Sequence, residues 1–95
     1  MTVLPIKFQI IKALLDGGEY WNYEIVSPIQ KACGMESDYG RDTINFDLLE
    51  LLSAGMIRDL EQKVDKDGTF KKDFLLHKYQ ITDYGREWAA AMKIA

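Results

Sequence analysis

Leu51-Leu52-Ser53-Ala54-Gly55-Met56-Ile57 and Tyr79-Gln80-Ile81-Thr82-Asp83-Tyr84-Gly85 are the two stretches whose reading decides the fold. In the first, a leucine-rich run stops at Gly55, a residue free to take the left-handed conformation that ends a helix, and Met56-Ile57 opens an extended run. In the second, a strand pattern closes at Thr82, a good helix N-cap. The segment between them is polar and carries Asp67-Gly68, a two-residue hairpin signal. A turn placed there pairs Leu60 with Leu75, Met56 with Tyr79 and Arg58 with His77. The order is helix, strand, turn, strand, helix, and at about 3.3 Å per residue the hairpin would reach roughly 30 Å from the body.

Toward the N-terminus the same spacing arguments give a first helix over about 6–16. Pro5 suits its first turn, Ile10, Ile11, Leu14 and Leu15 share one stripe with Phe8 at its edge, and Gly17-Gly18 ends it. Tyr20-Trp21 is a short extended piece. A second helix covers about 24–33 with a break near 27, because Ser27-Pro28-Ile29-Gln30 offers an N-cap, a proline at the first helical position and a capping-box glutamine. Gly34 ends it, and the polar stretch to Gly40 is an expanded turn. A third helix over about 42–54 turns Ile44, Leu48, Leu51 and Leu52 inward with Leu49 alongside. Thr43, Phe46, Asp47, Glu50 and Ser53 face out, with Asn45 at the border. A last helix over about 83–94 has Tyr84, Trp88, Met92 and Ala95 on one stripe and Ala89, Ala90 and Ala91 as a small flank. Three core helices, a two-stranded hairpin over about 56–82 and a C-terminal helix make one α+β, mainly α, domain spanning 1–95. That arrangement is a winged helix-turn-helix, with helix 42–54 as recognition helix and the hairpin as wing.

Ninety-five residues suffice for one core and exclude a second lobe. No apolar run approaches the length of a membrane span and the start lacks the order of a signal peptide, so the expectation is a soluble cytoplasmic protein without membrane contact. One cysteine, Cys33, and one histidine, His77, leave no disulfide, no zinc constellation and no cofactor motif. The formal net charge of −3 and a pI near 5.0 run against the basic balance of nucleic-acid binders. The distribution is uneven: residues 1–62 hold five Lys or Arg against ten Asp or Glu, whereas 63–95 hold seven against five. Positive charge therefore gathers on the wing, which favours weak, salt-sensitive phosphate binding unless two copies act together.

The chain resembles the winged-helix regulators of the PadR and MarR type from its first helix to Gly85. Tyr23-Glu24-Ile25, Thr43-Ile44, the leucines at 48 and 51, Gly55-Met56-Ile57 and Tyr79-Gln80-Ile81-Thr82-Asp83-Tyr84-Gly85 carry the likeness. The resemblance implies a winged-helix transcriptional regulator. Two departures bear on function. PadR-like recognition helices often carry basic residues in the middle, where this chain has Leu49 and Glu50, with Asp42 and Asp47 nearby. The families also usually add a longer dimerisation helix than the single one read here.

If the third helix enters a major groove, its N-terminal residues Arg41, Thr43 and Asn45 meet base edges, with Arg41 suited to guanine, Asn45 to adenine and Phe46 to a thymine methyl. Arg41 and Asn45 read equally well as solvated or capping residues. Lys63, Lys66, Lys71 and Lys72 on the wing suit backbone phosphates, or alternatively keep an exposed edge soluble. The expected partner is double-stranded DNA, bound by a homodimer formed through the N- and C-terminal helices, with Val3-Leu4 and Trp88 as apolar surface. The rival reading is a protein-interaction module that uses the acidic helix face and Phe46. A ligand pocket between Trp21 and Trp88 competes with plain core roles for both rings. Catalysis is not expected. Val64-Asp65-Lys66-Asp67-Gly68-Thr69 has the look of a phosphatase nucleophile motif but lacks the Lys and Asp motifs that must accompany it, and as a calcium loop it lacks its third acid and closing Glu. His77 has no nucleophile or carboxylate motif beside it in sequence.

Overall fold

A computed structural model describes residues 4–94, so the Val3 and Ala95 expectations lie outside the described residues. The order is α1 (Ile6–Leu14), β1 (Tyr20–Trp21), α2 (Asn22–Cys33), α3 (Asp38–Ser53), β2 (Ile57–Val64), β3 (Leu75–Ile81) and α4 (Asp83–Ala91). The three strands form an antiparallel sheet in the order β1-β3-β2. This is a winged helix-turn-helix whose wing gains a short third strand, Tyr20–Trp21 pairing with Tyr79 and Lys78.

The core follows the helical stripes: Ile10, Ile11 and Leu14 from α1, Ile25, Val26 and Ile29 from α2, and Ile44, Leu48 and Leu51 from α3 are buried against Ile57, Leu76, Tyr79 and Ile81 of the sheet. The two diagnostic stretches meet in space. Gly55 takes a φ of 79°, which frees β2 to turn back along the sheet. The Thr82 hydroxyl then donates to the Gly55 carbonyl at 2.7 Å and accepts the Gly85 N–H at 3.0 Å. One side chain thus caps α4 and ties it to the end of α3.

Three expectations are corrected. First, α2 runs through Ser27 and Pro28 without interruption and starts at Asn22. Its first turn is stabilised by Glu24, whose carboxylate accepts the Trp21 N–H at 2.9 Å. Proline removes the donor that would bond the Glu24 carbonyl, but Glu24, Ser27 and Pro28 lie on the exposed face, where that carbonyl is open to solvent rather than buried unpaired, while Ile25, Val26 and Ile29 hold the opposite face in the core.

Second, the turn before α3 is short, spanning 34–37, because α3 begins at Asp38. The Ser37 hydroxyl accepts the Gly40 N–H at 3.1 Å and caps it. Gly40 reads as a loop residue yet is helical. A Cβ there would lie 2.2 Å from the Met35 carbonyl oxygen, so glycine is what lets the turn close onto the helix.

Third, the hairpin register differs. Asp59 lies opposite Tyr79, Gln62 opposite His77 and Val64 opposite Leu75, with a bulge between Asp59 and Glu61. Asp67-Gly68 is not a two-residue turn: residues 65–74 form a longer folded loop, closed at its base by Asp65 N–H to the Phe74 carbonyl and Asp73 N–H to the Asp65 carbonyl, both 2.8 Å.

Candidate nucleic-acid interface

The outward face of α3 carries Asp38, Tyr39, Asp42, Phe46, Leu49 and Glu50. Tyr39 at 81% and Phe46 at 59% are its most exposed aromatic side chains. Thr43 lies between them, its hydroxyl donating back to the Tyr39 carbonyl at 2.8 Å, a bond that leaves its methyl and its acceptor lone pairs for an incoming group. Asn45 is withdrawn from this face. It is only 8% exposed, and its amide oxygen accepts from Asn22 Nδ2 at 3.4 Å across the α2–α3 interface. The expectation of an adenine contact from Asn45 is therefore corrected, because α2 packs over the border of the Ile44–Leu48 stripe and sets Asn22 against Asn45.

Arg41 is not presented to a groove either. Its side chain is 17% exposed, with Nε 3.0 Å from Asp42 Oδ1 and Nη1 3.4 Å from Asp38 Oδ1. The same Nη1 donates to the Phe70 carbonyl at 3.4 Å, and the guanidinium lies 5.5 Å from the Phe70 ring centre. Phe70 is the buried tip residue of the wing loop and packs against Phe74. The wing loop thus folds back onto the N-terminal end of α3.

The loop takes this shape around Asp65. Its carboxylate accepts the backbone N–H groups of Phe70 at 2.7 Å, Lys71 at 2.8 Å and Thr69 at 3.0 Å. Burial by itself would raise this carboxyl, but the backbone donors of Phe70, Lys71, Thr69 and Gly68 outweigh it and hold the group below its ordinary value. Asp42 is likewise held low, first by its hydrogen bond from Arg41 and further by Lys71, whose Nζ is 3.9 Å from Asp42 Oδ2. Phe70 is not among the residues singled out from sequence, and Asp65 was considered there only within the phosphatase-like and calcium-loop motifs that were set aside. The signals were present, in an Asp four residues before Thr69 that can cap a loop and in one aromatic at the centre of a polar wing.

Of the wing lysines, Lys66, Lys71 and Lys72 are exposed on the loop. Lys63 sits on β2 with Nζ 4.1 Å from the Trp21 ring centre and 5.7 Å from that of Tyr23. Lys78, also missed from sequence, approaches the same Trp21 ring at 5.6 Å and pairs with Glu19 and Glu61. Trp88 packs edge-on against Phe8, with ring centres 5.0 Å apart. A cleft of about 230 Å³ lies between Tyr23, Lys63, Lys66, Thr69 and Leu76, and neither tryptophan lines it; Trp88 against Phe8 and Trp21 under Lys63 take packing roles, the reading the sequence favoured for both rings.

Comparison with known proteins fits this geometry. No protein-family model matches the chain, and neither does any curated protein. A crystal structure of Bacillus subtilis PadR in complex with operator DNA superposes with a TM-score of 0.66 at 21% identity, covering 95% of this chain and 47% of that one. The chain has a PadR-like winged-helix fold. It spans about half the length of the PadR chain it matches. In this PadR-like frame α2, the 34–37 turn and α3 are the helix-turn-helix, and β2, the 65–74 loop and β3 are the wing. The outward face of α3 is acidic: among the described residues, the basic side chain on that helix, Arg41, is already engaged with Asp38, Asp42 and Phe70. No helix among the described residues is long and apolar enough to cross a membrane.

Proposed function

We propose that the chain is a cytoplasmic DNA-binding transcriptional regulator that acts without chemistry, by occupying a site on duplex DNA. The observation that carries this reading is the outward N-terminal half of α3, with Tyr39, Thr43 and Phe46, standing beside a docked wing loop that exposes Lys66 and Lys72 together with Lys71, itself paired to Asp42. The PadR structure that shares the fold is bound to operator DNA, which supports duplex DNA as the partner here. Tyr39 and Phe46 supply apolar and stacking contact in the groove, and the lysines supply the non-specific attraction. Lys63, held over Trp21, lies farther along the wing as a fourth phosphate contact.

With Asp38, Asp42 and Glu50 on the same face, one copy binds weakly, and the regulator works as a homodimer through α1 and α4. Leu4, Tyr84 and Met92 are the exposed apolar residues that support this assembly. Fluorescence anisotropy of a labelled random duplex, titrated at low salt and again near physiological salt, tests the reading. Binding that weakens steeply with salt, by a log–log slope of about 0.9 for each phosphate neutralised, supports it. Absence of binding at low salt defeats it.

A second reading has one observation in its favour, the pairing of exposed Tyr39, Phe46 and Leu49 with Asp38, Asp42 and Glu50 on one helix face. That combination suits a basic, partly apolar protein segment. Phe46→Ala would then abolish capture of such a partner, whereas capture that survives the substitution removes this alternative.

A further inference from the structure

We infer that Arg41 and Asp65 are positioning residues that lock the wing to the N-terminal end of α3, so that the two DNA-facing elements act as one rigid reading head. The inference rests on the DNA-binding reading and deepens it, by reassigning a residue whose sequence suggested a base contact. Three links join helix to loop: Arg41 Nη1 to the Phe70 carbonyl, the Arg41 guanidinium against the Phe70 ring, and Lys71 Nζ to Asp42 Oδ2. Behind them the Asp65 carboxylate collects the Thr69, Phe70 and Lys71 N–H groups, which sets the direction in which Phe70 points inward and Lys71 and Lys72 point outward.

Each part of the lock has a physical reason. A planar guanidinium can stack on an aromatic face while donating in its own plane to a carbonyl and two carboxylates, which an ammonium cannot do. Asp65 is 3% exposed and bonded entirely to its own loop, so it has no free acceptor to offer a ligand and acts on DNA only through the loop it shapes. A wing free to swing would have to be ordered at the moment of binding, whereas a docked one presents Lys66, Lys71 and Lys72 at a set distance from Tyr39 and Phe46.

The decisive variant is Asp65→Asn, because two accounts of it have opposite signs. If only net charge mattered, removing a carboxylate from an acidic protein would tighten DNA binding. The lock predicts weaker binding, by about threefold or more near physiological salt, with the log–log salt slope lower by about one as a phosphate contact is lost. Arg41→Lys provides the second test, since it keeps the charge but loses the stack and the fork. It should weaken binding and flatten the slope in the same way, whereas a phosphate contact at Arg41 would tolerate lysine. Both variants are compared with the wild type on the same random duplex, at a temperature where circular dichroism shows all three folded. Tighter binding by Asp65→Asn, or wild-type affinity and slope in Arg41→Lys, overturns the lock while leaving DNA binding intact. A wild type that binds no duplex at low salt overturns the functional reading itself, and the lock with it.

Discussion

Asn22 and Asn45 face each other across the α2–α3 interface, with Asn22 Nδ2 donating to Asn45 Oδ1 at 3.4 Å and Asn22 Oδ1 buried without a hydrogen-bond partner among the described residues. A long bond and an orphaned acceptor make this the least satisfied point of the helix-turn-helix. Apolar packing around it sets the crossing of the two helices, and the asparagine pair sits within that packing at some cost.

Asn45→Ala leaves Asn22 Nδ2 unpaired as well, and is expected to destabilise the fold by about 1–3 kcal/mol. Because Asn45 is internal, DNA selected from a random pool by the folded variant should have the same sequence preference as that selected by the wild type. A changed preference at unchanged stability would return Asn45 to the groove.

Thr82→Ala removes the hydroxyl that joins Gly55 to the first turn of α4. The loss of an N-cap and of a tertiary bond is expected to cost about 1–2 kcal/mol, and for a domain of this size each kcal/mol lowers the melting temperature by about 4–8 °C. Thermal denaturation followed by far-ultraviolet circular dichroism measures it.

Pro28→Ala is expected to raise the melting temperature. It restores an N–H to the middle of α2 at an exposed position, where alanine forfeits little buried surface. The gain is smaller than the ~3 kcal/mol that separates proline from alanine in a helix interior, because proline also restricts the unfolded chain. A melting temperature that falls would show that the ring has a packing role.

Lys71→Ala combined with Lys72→Ala is expected to weaken binding to all duplexes alike and to lower the salt slope by about two. The same change frees Asp42 from Lys71 and adds a repulsive charge on the outward face of α3, so the loss of affinity should exceed that of Lys12→Ala combined with Lys31→Ala, two exposed lysines away from the wing. Lys7 would not serve as one of that pair, because it bridges Asp47 and Glu50.

Stability should depend on pH at both ends. Asp65 and Asp42 are held below the ordinary carboxylate value, so their contribution is present above that value and is lost as pH falls through their folded values. Asp47, raised first by burial and then by Glu50, has the opposite sign and softens the acid limb. Tyr79 is pushed from 10.0 up to about 12, first by burial and then by Asp59. Its contribution is present below 10.0 and is lost as pH rises toward about 12. Melting temperatures measured across pH should therefore fall at both ends, and Tyr79→Phe should flatten the alkaline limb alone.

The helices and their buried faces were legible because burial imposes a period that the residues repeat. Ile10, Ile11 and Leu14, or Ile44, Leu48 and Leu51, identify their own inward stripes without reference to anything else in the chain. Gly55 and Thr82 were equally legible, since ending and starting a helix are local acts with local residue preferences. The candidate interface was less so. The lysines and Phe46 could be placed on the outside, but whether Arg41 and Asn45 were accessible depended on what packs beside α3, the wing loop at Phe70 and α2 at Asn22.

By itself, then, the sequence determined the number and order of elements, the winged arrangement, and the gathering of positive charge on the wing, because each follows from periodicity, capping and composition within a few residues. Only the tertiary structure decided the hairpin register, the passage of α2 through Pro28 and the docking of the wing on α3. These depend on partners distant in the chain: Asp65 draws its own loop closed five and six residues on, Phe70 reaches Arg41, and core packing outweighs the one hydrogen bond that proline removes. A local pattern contains no term for such contacts, and here they separate an arginine presented to solvent from one held between α3 and the wing loop.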